Sequence, residues 1–575
     1  MNSWKSAYEA RTDLQAYGDN ALGLFALALK FGIDDLHGIA ADAITDGSDD
    51  KKLDIVHIDE EDEYAVIAQC YFSSKEKDKA PSNKASDLNT GVGWLIQRDI
   101  DEVPDRIKSA AVNFRKGIKD KKIKKVYVWY IHNLPESTNV ENELITVHQG
   151  ALTALRSTFP DSNVSVSYCE VGQNCISDWY EECQTPILVN ETISLECKSG
   201  YEIAGSHWES YSTAISARSL HRLYKKYKTK IFSANIRDYL GSRSTNSNIN
   251  NGIKNTVERE SENFWVYNNG LTILTHDYTP SDGKVTVNGF SIVNGAQTTG
   301  AVGSLKRLPA SDAMVQARFI AVSNETPDLI QKIIQFNNSQ NKVEAADFRS
   351  TDKIQKRIKE EMRQIPEAEY EGGRRGGSGD AIRRKPFLLS SYAVGQALAA
   401  FHGDPITAYN KKSGIWISDN LYSMYFNENT KAAHIVCVYS LVRAVEEKKK
   451  TLVSKTGLTD AEKKSLEFFR KRGSVYLFTY AVSSCLEVFL NRAVPNLFRV
   501  SFGSSCSPTK AKENWDPVIN VLMSFCTQLD SAVDGGLRNK KDIDSAVDNL
   551  KALVNATRDY NRLIYESFKN KIKAP

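Results

Sequence analysis

The stretch Phe264–Thr299, FWVYNNGLTILTHDYTPSDGKVTVNGFSIVNGAQTT, says one phrase twice: an aromatic and apolar run ends at an Asn-Gly pair, and apolar residues resume after it. Trp265, Val266 and Tyr267 run into Asn268-Asn269-Gly270. Ser291, Ile292 and Val293 run into Asn294-Gly295, with Gln297 close behind. Aromatic and β-branched residues favour strands, and Asn-Gly favours a tight turn at positive φ. The phrase predicts paired strands whose ends carry carboxamides and turn amides. Such groups donate and accept hydrogen bonds without charge, which suits reading a nucleotide, base or peptide edge. Ordinary hairpin turns have the same wording.

Outward from this stretch, residues 231–390 form a central α+β domain. Asn235 and Arg237 precede the Asn-Gly phrases, and Asn337 and Asn338 follow a helical segment at Asp328–Ile334. Three carboxamide groups thus converge in one expected ligand pocket, with Arg237 as its cation. Further on, Glu371–Lys385 reads EGGRRGGSGDAIRRK. Arg374, Arg375, Arg383 and Arg384, set among glycines, suit a phosphate backbone and equally a mobile loop. Without GxxxxGK[ST] the segment is not a phosphate-binding loop of the Walker type. Residues 391–575 return apolar side chains every three to four positions, with Thr459-Asp460 as a helix start. This helical region packs on the central domain or forms a homodimer surface.

Residues 1–170 read as an α/β unit. A helix is expected over Leu22–Phe31, strands over Lys51–Asp59 and Tyr64–Phe72, and a basic helix over Arg106–Lys125. A strand over Lys124–Leu134, a helix near Thr146–Ser157 and a strand over Val164–Glu170 complete it. Strands alternating with helices imply a layered sheet with some parallel pairing. A hairpin of the first two strands brings Asp54 and Gln69-Cys70-Tyr71 to one strand mouth. Asp54 and Gln69 there offer oxygen ligands of the kind that hold Mg²⁺. Asp46, Asp49 and Asp50, clustered with Gly and Ser, read as a solvated acidic turn. Residues 171–230 read as a connecting region ending in a helix over Tyr211–Lys228, whose basic residues contact phosphates or face solvent.

The blocks NNGLTI and IVNGAQTT, with FSANIRDYLG at Phe232–Gly241 and FNNSQNKVEAADFRS at Phe336–Ser350, resemble the AIPR family, the abortive-infection phage-resistance proteins of bacteria. The N-terminal unit resembles the PD-(D/E)xK nuclease core in its Mrr-like form. TDGSDDKKLDIV at Thr45–Val56 fits that form's lead-in, and Asp54, Gln69 and Tyr71 fall on its catalytic positions. Tyr71 stands where the pattern has lysine, and tyrosine carries no cation at neutral pH. The resemblance implies a restriction-endonuclease-like α/β domain, a central α+β domain and a C-terminal helical region. It also implies a bacterial anti-phage protein with a Mg²⁺- or Mn²⁺-dependent nuclease acting on nucleic acid, DNA before RNA. The AIPR region would control it through a phage-encoded trigger or a nucleotide. The alternative is a non-catalytic sensor with a degenerate nuclease domain.

Composition sets the bounds. At 575 residues the chain has room for about three or four domains. A net charge of +3 with 41% hydrophobic residues neither demands nor excludes a polyanionic partner. The N-terminus MNSWKSAYEARTDLQ lacks a signal pattern and no run of 18 apolar residues occurs, so a cytoplasmic protein off the membrane is expected. Nine scattered cysteines fit a reducing compartment, and Cys169, Cys175, Cys183 and Cys197 lack zinc-site spacing.

Overall fold

The computed structural model describes residues 4–33, 35–47, 49–184, 187, 189–232, 247–310, 313–322, 327–337, 349, 352–372, 387–455, 457–534 and 536–574. The chain forms two compact units. One is made of Met1–Asn174 and Glu344–Pro575, the other of Cys175–Val343.

In the first unit, β1 (Ile55–Asp59), β2 (Tyr64–Tyr71), β3 (Lys125–His132) and β4 (Ser165–Val171) form a four-stranded sheet in that order. β1 and β2 are an antiparallel hairpin with Ile55 opposite Ala68. Asp59 holds its turn by accepting the backbone N–H groups of Glu61 and Asp62. β3 and β4 follow in parallel, with Gln69 beside Tyr130 and Tyr130 beside Glu170. Parallel strands need a crossover helix, and the α/β alternation supplies it. Every residue of β2 from Tyr64 to Cys70 is buried, as expected for a strand covered on both faces.

One cover is α1 (Asn20–Phe31), ended by Gly32 in the left-handed region. A Cβ on its Gly23 would stand 2.4 Å from Ile55 and 2.8 Å from Cys70, so only glycine lets this helix lie so close to the sheet. The other cover is α2 (Ser82–Ile96), α3 (Asp105–Lys119) and α4 (Thr138–Thr158). Leu88, Val92, Phe114 and Leu144 there pack on Val56, Ile67 and Val128.

The second segment of this unit is helical. Ser391–Phe401, Ala432–Ser454, Asp460–Arg470, Ser474–Ser484, Pro508–Met523 and Lys540–Ala556 surround a core containing Phe401, Phe469, Phe478 and Trp515. The helix start at Thr459 is a full capping box with Glu462. Buried polar contacts tie these helices to the α/β part. Arg443 pairs with Asp35 at 2.8 Å, Lys449 with Asp42 at 2.7 Å and Lys412 with Asp59 at 2.7 Å. Arg472 donates to the Val56 carbonyl at 3.2 Å, on the outer edge of the sheet.

The second unit is a seven-stranded sheet. β5 (Val189–Glu196), β10 (Lys284–Asn294), β8 (Leu271–Thr275), β11 (Met314–Val322), β7 (Trp208–Ser216) and β6 (Tyr201–Ala204) lie in that order, and β9 (Asp277–Ser281) pairs with β10. Residues 171–230, read from sequence as a connector, thus give this sheet three strands. Two local expectations change. Tyr211–Ser216 is strand rather than helix: Tyr211, Thr213 and Ile215 alternate inward, and the helix begins at Ala217 with Ser216 as its cap. Phe264–Tyr267 is a short helix rather than a strand, with Phe264 buried and Trp265, Val266 and Tyr267 exposed. Among the described residues, no single helix is long and apolar enough to cross a membrane.

Candidate metal centre and the carboxamide turns

The candidate centre lies where β1 begins and β2 ends. Asp54 immediately precedes β1; its N–H donates to Ala68 O at 3.0 Å, and its carboxylate accepts the Cys70 N–H at 2.6 Å. This is the strand mouth expected from the hairpin. Gln69 lines the same cavity, of about 650 Å³, together with Asp19, Asn20, Asp46, Asp50 and Lys84.

The residues 45–54 fold back so that the N–H groups of Thr45 and Asp46 both reach the Asp54 carbonyl. Such a tight loop needs unusual backbone angles. Gly47, Asp49, Lys51 and Lys52 all have positive φ. Arg106 of α3 pins the loop by donating to the Thr45 and Asp46 carbonyls. Within this acidic turn, one carboxylate oxygen each of Asp46, Asp50 and Asp54 lies within 4.8 Å of the other two. Asp49 instead pairs with Lys51.

Two buried carbonyl oxygens complete the arrangement. Gln69, 5% exposed, has no partner for Oε1 among the described residues. Asn20, 3% exposed, donates from Nδ2 to Asp46 at 2.7 Å and leaves Oδ1 without a partner. An unpaired buried carbonyl costs about 1–3 kcal/mol, and both of these belong to residues in the cavity lining. Burial, followed by the charges of Asp46 and Asp50, pushes the Asp54 carboxyl up to about 7. A site of oxygens only, rich in carboxylate, fits a hard divalent cation such as Mg²⁺ or Mn²⁺. The residues fit the group that the sequence implies.

Asp50 is also engaged locally. Its two carboxylate oxygens accept the N–H groups of Gly47 and Lys52. Tyr71 lies on the same strand face as Gln69, and its hydroxyl accepts from Lys77 Nζ at 2.9 Å. Sequence reading identified Asp54, Gln69 and Tyr71 here and missed Asn20, Asp46, Asp50 and Lys84. Asp46 and Asp50 were visible in TDGSDD, whereas Asn20 and Lys84 arrive from helices that no local spacing connects to the strand mouth.

In the second unit, the two Asn-Gly turns stand side by side. Gly270, φ 83°, leads into β8, and Gly295, φ 94°, leaves its antiparallel neighbour β10. A Cβ on Gly295 would fall 2.8 Å from the Gly270 carbonyl, so neither turn is a hairpin and both are glycine by necessity. Asn268 donates to Thr298 at 2.8 Å and accepts the Gly270 N–H at 2.8 Å. Gln297 lies in the first turn of the helix Ala296–Gly303. Asn294, Thr272 and Arg318 occupy neighbouring register positions on three strands. Asn337 accepts from Arg318 at 2.8 Å and from Thr272 at 3.1 Å. Asn269 is exposed beside them. Arg318, unnoticed in the sequence, is the cation of this group. Asn235, Arg237 and Asn338, and the loop residues Arg374, Arg375, Arg383 and Arg384, lie outside the described residues.

Neither the curated proteins nor the solved structures contain a match to the chain. The family model described as AIPR protein matches residues 232–528. That span takes in all four sequence blocks, both Asn-Gly turns and most of the C-terminal helices. Covering more than half of the chain, the match makes this protein a member of the AIPR family.

Proposed function

We propose that this AIPR protein is a divalent-metal-dependent nuclease acting in abortive-infection defence, with its reaction centre at Asp46, Asp50, Asp54 and Gln69. AIPR membership is consistent with an abortive-infection role against phage. The observation that carries the chemistry is the cluster of three carboxylate oxygens within 4.8 Å of one another, in a cavity whose lining includes Gln69 and Asn20 with their unpartnered oxygens.

The reaction is phosphodiester hydrolysis. A water oxygen bonds to phosphorus and one ester P–O bond breaks, leaving an alcohol and a phosphate monoester, with one proton released. Bound Mg²⁺ or Mn²⁺ supplies Lewis-acid polarisation of the phosphate and a water of lowered pKa. Asp54 and Asp46, whose carboxylates are held by Cys70 N–H and Asn20, would hold the ion. Asp50, clamped by Gly47 and Lys52, would supply a third oxygen. The Gln69 carboxamide orients within the cavity without adding charge. Basic residues at the rim steer the polyanionic substrate.

The test is to incubate the purified full chain with plasmid, linear DNA and RNA, with Mg²⁺ or Mn²⁺, beside Asp54→Ala. Cleavage by the wild type alone is expected. Two inert proteins, with Asp54→Ala still protecting cells from phage, would overturn the nuclease reading. A second reading, a non-catalytic sensor, draws on Tyr71 in the lysine position and on the local engagement of Asp50. It predicts no cleavage and no effect of Mg²⁺ or Mn²⁺ on thermal stability.

A further inference from the structure

The pattern that the N-terminal unit resembles has a lysine at the position of Tyr71, and the strand offers no substitute. β2 ends at Tyr71, and the chain then turns away. Ser73 bonds to Asn133 through both backbone groups and to Lys75 O through its hydroxyl. Of the three lysines in the cavity lining, Lys51 pairs with Asp49 and Lys52 with Asp87, and the third comes from α2. Lys84, half-buried in the first turn of α2, lines the cavity with Asp54 and Gln69. Its ammonium also lies 5.3 Å from the centre of the Tyr71 ring. Lys77 holds that ring by its hydroxyl and lies 5.6 Å from the same centre. A ring bearing a hydrogen-bonded hydroxyl cannot pivot freely, and its face attracts an ammonium. The tyrosine thus replaces the missing charge with a platform for charges borne by other elements.

We propose that Lys84, steadied on the face of Tyr71, is the residue that touches the scissile phosphate in this chain, with Tyr71 and Lys77 as its positioning residues. This rests on the nuclease reading above. A lysine reaching in from a helix neutralises the charge that builds on the phosphate oxygens, as one from the strand would. The arrangement also explains how an aromatic residue can occupy position 71 without disabling the site. Phosphate contact by an ammonium is a contact of charge, without readout of base sequence.

The test measures kcat and KM on an oligonucleotide cleaved by the wild-type full chain, for Lys84→Ala, Tyr71→Ala, Tyr71→Phe and the double variant Tyr71→Lys/Lys84→Ala. Thermal melts of each protein verify its fold. Lys84→Ala is expected to lose about 100-fold in kcat with KM changed less than about threefold. Tyr71→Ala should lose about tenfold, and Tyr71→Phe, which keeps the ring, less. Returning a lysine to the strand should rescue: the double variant recovers at least about tenfold over Lys84→Ala, which a merely structural role for Lys84 would not allow. A Lys84→Ala protein that cleaves like wild type while Asp54→Ala is dead overturns this proposal and leaves the nuclease standing. A folded double variant no faster than Lys84→Ala also overturns it. A wild type that cleaves nothing removes the nuclease reading and this proposal together.

Discussion

Gln69 and Asn20 keep two carbonyl oxygens out of water with nothing to bond to, an arrangement that a stable fold has no reason to maintain. Gln69→Leu, close in volume and free of polar atoms, should therefore raise the melting temperature of the metal-free protein, by about 1 kcal/mol or more of stability. It should at the same time shrink the rise produced by Mn²⁺. A loss of stability without metal, or an unchanged metal response, would show that Gln69 has no part in the site. The pH dependence follows from Asp54, held up at about 7 by burial and its acidic neighbours. The carboxyl must lose its proton to ligate, so the Mn²⁺-induced rise should grow from pH 6 to pH 8, and Asp54→Asn should abolish that growth. Asp54 and Gln69 were legible in the sequence because a hairpin keeps strand positions in register. Asn20, Lys84 and Arg318 were not, because tertiary packing alone brings a residue of one element to another.

At the scale of elements, the loop 45–54 is held from outside. Arg106 binds its carbonyls, and its guanidinium lies 3.0 Å from where a Gly47 side chain would begin. Arg106→Gln should weaken Mn²⁺ binding about 10- to 100-fold, read by calorimetric titration, with the far-UV spectrum unchanged. Equal affinity would show that the loop holds its shape alone. The elements themselves divide by how local their signals are. The β1–β2 hairpin, the buried run of β2 and the capping box at Thr459 follow from neighbouring residues, and all were legible. Tyr211–Ser216 misled because its aromatic and apolar residues fit both periods, and only pairing with β11 settles it as strand. Trp265-Val266-Tyr267 reads as strand by propensity, yet forms a helical turn leading into β8, a case of context overriding propensity.

At the scale of the whole molecule, the helical segment of the first unit carries an acid-sensitive pair. His434 donates from Nδ1 to the Val500 carbonyl at 2.8 Å, so its Nε2 must accept from His402 Nε2, 3.0 Å away. A proton added to His434 must go on its Nε2 and sets N–H against the N–H of His402. Burial holds His434 down at about 4, and it holds His57, under the helices at β1, down at about 3. The unfolded chain takes up these protons near pH 6.5 and the folded chain does not, so the histidines' contribution to stability is full above that pH and falls below it. The slope should be about 1.4 kcal/mol per pH unit for each histidine. Asp54, held up at about 7, works in the opposite sense over the same range, so the histidine is read as a difference: between pH 7.5 and 5.5 the wild type should lose stability relative to His434→Gln, and parallel curves would mean that His434 takes its proton in place.

The split construction of the first unit matters before the protein is ever finished. Asp35, Asp42 and Asp59 are made early, while their partners Arg443, Lys449 and Lys412 follow hundreds of residues later. So does Arg472, which covers the open edge of the first sheet. At roughly 5–20 residues per second, the ribosome leaves the early half waiting for tens of seconds with an uncovered strand and unmatched carboxylates. A fragment ending at residue 174 should accordingly precipitate or be degraded when expressed alone, and become soluble when residues 344–575 are supplied as a second chain. A soluble, folded 1–174 would show that the half needs no partner. Otherwise a truncated message yields an early half that never folds, and its unfinished copies are left to precipitation and proteolysis.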